Sequence, residues 1–134
     1  MELFLSFLML QLNIQNETSR LRAVVLGTAI SNGSIPKPED CYDPKSREHV
    51  LAGTYPKEED MILEMESVAK VFEKYNVQVF RPDEIKDYNQ IFARDIGFVI
   101  ENKFIKANIL PDRDREILAI EKVWSTIPEE NKII

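Results

Sequence analysis

Asn89-Gln-Ile-Phe-Ala-Arg-Asp95 (NQIFARD) runs straight into Ile96-Gly-Phe-Val-Ile100, and this junction decides how the chain reads. Ile96 to Ile100 is apolar on both faces, as in a strand buried within a layered fold. Glu101-Asn102-Lys103 turns the chain, and Phe104 to Leu110 returns with Ile105, Ala107 and Ile109 on one side, a hairpin pattern. Asp95 therefore sits at the mouth of a buried strand, where a carboxylate costs several kcal/mol unless it is paired. Two readings of it stand on physical grounds. In one, Arg94 is the partner and the two form an ion pair that holds the loop. In the other, Asp95 awaits a cationic ligand and Phe92 offers that ligand a flat apolar wall.

Upstream of the junction, Val77 to Phe80 reads as a short strand stopped by Arg81-Pro82. Before it, Tyr55 to Tyr75 predicts a helix. Pro56 suits the first position, Glu58, Glu59 and Asp60 complement the N-terminal dipole, and Asn76 ends it. Ile62, Met65, Ala69, Phe72 and Tyr75 fall at helical spacing, a stripe for core packing. Ser31 to Arg47, with three prolines, predicts a long irregular loop. Leu21 to Gly27 is a β-branched run closed by glycine, a buried strand. Downstream, Asp112 is placed to cap a second helix whose apolar face holds Ile117, Ile120, Trp124 and Ile127, with Pro128 as its stop. Lys132-Ile133-Ile134 reads as the onset of another strand, an edge that calls for a partner. The order strand, loop, helix, strand, hairpin, helix, strand gives a mixed α/β class.

The chain has 134 residues, 44% apolar and 30% charged, which fits one globular domain. Its net charge of −6 argues against nucleic acid or an anionic membrane as partner, since both attract basic patches. Residues 1–9 read as an apolar N-terminal extension and residues 10–134 as the domain. The opening MELFLSFLMLQL lacks the basic n-region and cleavage site of a signal peptide and is shorter than the ~20 residues of a membrane span, which leaves a strand or helix packed on the domain, a weak export signal or, as the preferred reading, an extension ahead of Met9. Cys41 is the single cysteine, so no intramolecular disulfide forms, and a reducing, cytoplasmic setting is expected.

The other chemistry-bearing residues form weaker patterns. Cys41 and His49 lie eight residues apart, a nucleophile and base by type, but sequence proximity alone gives such pairs little support. Glu39, Asp40 and Asp43 match no metal-loop spacing, and the four glycines are isolated from one another rather than forming a phosphate loop. No cofactor or metal is expected.

The string N-x-x-F-x-R-D at Asn89, Phe92, Arg94 and Asp95, followed by an apolar strand, resembles the guanidino-group-modifying superfamily. That superfamily comprises amidinotransferases, arginine deiminases and dimethylarginine dimethylaminohydrolases. Pro111-x-Arg113-x-x-Glu116 after the hairpin is a second match, and Arg20 to Gly27 (RLRAVVLG) looks like the first strand of such proteins. Ala93 departs from the threonine frequent at its position. The resemblance covers residues 10–134 and is most specific over 89–116.

The resemblance implies an α/β fold that is an incomplete five-bladed α/β propeller (pentein), its first one to two ββαβ-type units. It also implies roles. Asp95 would hold an arginine-like substrate's guanidinium through paired hydrogen bonds, Phe92 would pack on its plane and Asn89 would position it. Arg113 would reach the substrate carboxylate, and Arg94 would orient the loop. The family's nucleophilic Cys, its His base and the Glu-Gly-Gly-Asp stretch belong to a later region, and neither Cys41 nor His49 matches them. The expectation is an N-terminal portion, inactive alone, that needs a C-terminal half or associates through open sheet edges. A non-catalytic binding or interaction subunit that reuses the fold is the alternative.

Overall fold

The computed structural model describes residues 9–134; the apolar stretch ahead of Met9 lies outside the described residues. Strand β1 (Ala23–Val25) leads through a long connection to helix α1 (Pro44–Leu51) and helix α2 (Glu58–Lys74), and the chain returns as β2 (Gln78–Phe80). β2 lies parallel to β1, Ala23 opposite Gln78 and Val25 opposite Phe80. Then β3 (Gly97–Ile100) and β4 (Lys103–Lys106) form an antiparallel hairpin with Phe98 opposite Ile105. Two short helices, α3 (Glu116–Ala119) and α4 (Glu121–Trp124), carry the chain to β5 (Lys132–Ile133), which pairs parallel with β4. The architecture is mixed α/β with two small sheets, β1-β2 and β3-β4-β5, and the second follows a ββαβ order.

Helix α2 begins at Glu58 rather than at Pro56, with Lys57 in extended conformation ahead of it. Its end follows the left-handed cap that Asn76 permits. Asn76 has φ 57°, its N–H donates to the Glu73 carbonyl at 2.9 Å, and the Val77 N–H reaches back to the Phe72 carbonyl at 3.0 Å. Ile62, Met65, Ala69 and Phe72 face inward as their spacing demands, whereas Tyr75, at the cap, is exposed. The predicted loop at 31–47 is shorter than expected because Asp43 caps α1. Its carboxylate accepts the Ser46 N–H at 2.7 Å and Pro44 fills the first helical position.

The main core gathers Ile96, Phe104, Ile120 and Ile127, with Leu10, Leu12, Val25, Val99, Ile117 and Trp124 against them. Phe104 meets Trp124 edge to face at 4.9 Å between centroids, worth about 0.5–1.5 kcal/mol beyond area burial. Gly97 is required here, because a Cβ at that position would enter the Phe104 ring. The second helix is broken at Ile120, whose backbone leaves helical geometry, and Asp112 lies in a 3-10 turn (Pro111–Arg113) instead of capping it. The inward stripe nevertheless survives the break.

One expectation about β3 is corrected. Val99 points to the core, but Phe98 and Ile100 are half exposed, so the strand is buried on one face only. Cross-strand register places Phe98, Ile105 and Ile133 in one row on that outer face. The Leu10–Asn16 segment contributes an antiparallel bridge from Ile14 to Glu101. No helix among the described residues is long and apolar enough to cross a membrane.

Candidate functional site

The NQIFARD segment is seated on the end of β1. Gly27 lies so close to the Gln90 and Ile91 backbone that a Cβ would overlap their carbonyl oxygens, and the Thr28 N–H donates to the Gln90 carbonyl at 3.1 Å. Gln90 is the pillar of this arrangement. It is 1% exposed, its Oε1 accepts the Ile85 N–H at 2.7 Å and its Nε2 donates to the Asp83 carbonyl at 2.9 Å. Both amide groups are thus satisfied, as burial requires. Asn89 is exposed and turned onto its own segment, Oδ1 accepting the Ile91 N–H at 3.1 Å.

Ala93–Asp95 forms a 3-10 turn, closed by the Asp95 N–H on the Phe92 carbonyl at 3.0 Å. The turn lifts Phe92, Arg94 and Asp95 to the surface while Ile96 plunges into the core at 3% exposure. This is how a carboxylate can stand beside a buried strand without being buried itself. Phe92 presents its ring at the surface, and the Asp95 side chain is 47% exposed.

The partner of Asp95 is Arg113 rather than its neighbour Arg94. Arg113 Nη1 donates to Asp95 Oδ2 at 2.8 Å, and Nη2 donates to the Phe92 carbonyl at 3.2 Å. Two further donors go to Glu116, Nε to Oε1 at 2.5 Å and Nη2 to Oε2 at 3.0 Å. Glu116 is 1% exposed, so the bidentate fork compensates a buried carboxylate. Hydrogen bonds to Glu116, reinforced by Asp95, push the guanidinium pKa up from an already high value against the opposing effect of burial. Arg94 Nε stays 3.8 Å from Asp95 Oδ1, beyond a hydrogen bond, with its side chain 81% exposed.

Tyr88 ties this segment to the turn that carries Arg113. Its hydroxyl donates to the Asp112 carbonyl at 2.6 Å and the Arg115 guanidinium lies 5.3 Å from its ring centroid. Burial pushes the phenol above its ordinary pKa. On the other flank, Glu58 at the start of α2 accepts the N–H groups of Ser31 and Gly33 at 3.3 and 3.0 Å. Ser31 in turn accepts the Tyr88 N–H through its carbonyl at 3.0 Å. The segment is thereby braced from β1, from α2 and from the Pro111–Arg113 turn.

Structure thus brings Phe92, Arg94, Asp95 and Arg113 together, with Asn89 at the segment's other end. Gln90 and Tyr88 were not singled out in the sequence, and Glu58 was named only as an acid that complements the α2 dipole. Only a polar residue between Asn89 and the apolar Ile91 marks Gln90, and that carries no burial signal. Cys41 and His49 do not pair. The Cys41 thiol donates to the Lys37 carbonyl at 3.4 Å, and His49 Nδ1 sits 2.9 Å from the Thr54 hydroxyl. Among the described residues no group of three His, Cys, Asp or Glu could hold a metal ion.

A groove of about 440 Å³ opens elsewhere, between the two sheets, with Leu10, Ile14, Val25, Phe104, Trp124 and Ile127 in its walls. Among the described residues no carboxylate lines it, so they offer a cation no counter-charge there. The Asp95 turn offers the charge, a flat ring and an acceptor oxygen. Asp95 Oδ1 accepts no hydrogen bond among the described residues.

No family model matches the sequence, and no curated protein matches it. Among solved structures the chain is similar to inosamine-phosphate amidinotransferase from Streptomyces griseus, at 17% identity over 90% of this chain and with a TM-score of 0.62. The match covers 41% of that enzyme, so the chain spans less than half of its length. At this identity the likeness is one of fold, and the chain shares its mixed α/β fold with part of that amidinotransferase.

Proposed function

We propose that this chain is the guanidinium-recognising, N-terminal portion of an amidinotransferase or guanidino hydrolase acting on an arginine-like small molecule. The reading rests most on Asp95, a half-exposed carboxylate beside the Phe92 ring with one oxygen pinned by Arg113 and the other accepting no hydrogen bond among the described residues. A planar cation with several N–H donors is the ligand such a group suits, through charge-assisted hydrogen bonds. Asn89, at the exposed start of the segment, helps position the ligand. Arg113 serves through Asp95, and its reach toward a substrate carboxylate is limited to the N–H that its internal partners leave free.

The sheet with ββαβ order and the likeness to an amidinotransferase support placing the chain in an incomplete α/β propeller. On this reading the reacting cysteine and histidine are supplied by a C-terminal half; that the chain covers 41% of the amidinotransferase it is similar to is in keeping with a partial enzyme. The chain alone then binds without turning over. Calorimetric titration with L-arginine tests this: heat of binding is expected for the parent chain and none for Asp95→Ala. Amidino transfer or hydrolysis by the purified chain would overturn the division of labour.

One observation favours a role in association as well. The outer row of Phe98 and Ile133, together with Ile100, leaves an apolar sheet face open to another chain segment or subunit.

A further inference from the structure

Arg94 occupies a place that the site's proposed ligand would also need. Its guanidinium carbon is 5.5 Å from the Phe92 ring centroid, within cation–π range. Its Nε is 3.8 Å from Asp95 Oδ1, the oxygen that Arg113 leaves unengaged. One guanidinium of the chain therefore lies against both the flat ring and the free carboxylate oxygen. The two arginines at this turn differ in how firmly they are held. Arg113 is 15% exposed and locked to the buried Glu116, whereas Arg94 is 81% exposed and has no hydrogen bond to Asp95.

We infer that Arg94 is an internal competitor, a tethered guanidinium that holds the space between Phe92 and Asp95 Oδ1 until a guanidinium ligand displaces it. The inference rests on the reading of Asp95 as guanidinium anchor. It assigns to Arg94 a part in specificity. A bare guanidinium ion must displace a group of its own kind and gains nothing in exchange, while a larger ligand adds contacts that Arg94 cannot match. A site open for a fraction of the time binds with its affinity reduced by that fraction. One exposed ion pair together with one exposed cation–π contact corresponds to a bias of about tenfold.

The test is titration of the whole chain with methylguanidinium and, in parallel, methylammonium, for the parent, Arg94→Gln, Arg94→Lys and Asp95→Ala. Arg94 is exposed, so its replacement leaves the core untouched. Arg94→Gln is expected to tighten methylguanidinium about tenfold and methylammonium by less. Arg94→Lys keeps the charge but loses the planar fork, and is expected to fall between parent and Gln. Equal affinity for methylguanidinium in parent and Arg94→Gln overturns the competitor while leaving the anchor standing. An equal gain for both cations also overturns it, because removal of a nearby positive charge would then suffice. Binding that survives Asp95→Ala, or its absence from both the parent and Arg94→Gln, overturns the anchor itself.

Discussion

Replacing Arg113 with alanine removes the only side-chain partner, among the described residues, of a carboxylate that is 1% exposed. Glu116 then loses two charge-assisted hydrogen bonds and stays buried with its charge uncompensated, at a cost of about 3–5 kcal/mol. The contribution through Asp95 is smaller, because that carboxylate is half exposed and rehydrates; an exposed pair of this kind is worth about 1 kcal/mol at most. Domains of this size are stable by about 5–15 kcal/mol, so the substitution removes a third or more of the total in most of that range. Glu116→Gln should cost less, about 1.5–3 kcal/mol, since the fork keeps a neutral acceptor. The pair Arg113→Met with Glu116→Leu should come close to the parent, as an apolar substitute for a buried ion pair often does. Urea unfolding followed by circular dichroism reads all three as shifts in midpoint at constant slope. An Arg113→Ala loss below about 1 kcal/mol, or a double variant worse than the single one, would refute the reasoning that the buried pair anchors this turn.

Three further outcomes follow from the same geometry. Gln90→Leu leaves the Ile85 N–H and the Asp83 carbonyl without partners in a part-buried setting, at about 1–3 kcal/mol for the two together; a change under about 0.5 kcal/mol in urea unfolding would contradict its role as pillar. The Ser46 N–H holds the Asp43 carboxyl below the usual value of 3.8, so its capping contribution is full above that value and is lost as pH falls through the lower folded-state pKa. Fraying of α1 in acid, read from its backbone carbon shifts, should disappear in Asp43→Asn, which caps without titrating. Finally, the open face at Phe98, Ile100 and Ile133 predicts self-association of the isolated chain, reduced by Phe98→Ser with Ile100→Thr; a monomeric parent in sedimentation equilibrium would contradict it.

Much of the fold was legible where periodicity is strong. The stripe Ile62, Met65, Ala69 and Phe72 set the buried face of α2, and the alternation around Glu101-Asn102 marked the hairpin. The stripe at Ile117, Ile120, Trp124 and Ile127 also faces inward, yet the break at Ile120 carries no proline or glycine to announce it. Asp43-Pro44 held a helix start that the surrounding irregular sequence obscured. Apolar residues on both faces of β3 implied two buried faces, but composition does not say whether a second layer is present to cover Phe98. At the site, Asp95 and Phe92 stood out by type and position. The identity of the ion pair did not, because adjacency in sequence suggested Arg94. Neighbouring side chains point apart, and the hairpin with the Pro111–Arg113 turn instead brings in an arginine from eighteen residues further along.

The most direct measurement is amide chemical-shift mapping of the whole chain titrated with L-arginine. Saturable shifts are expected at Asn89 to Ile96 and at Arg113, absent in Asp95→Ala. Shifts confined to the groove walls at Leu10 to Ile14 and Ala23 to Val25, or shifts at Asn89 to Ile96 that persist without the Asp95 carboxylate, would contradict the role of Asp95 as anchor.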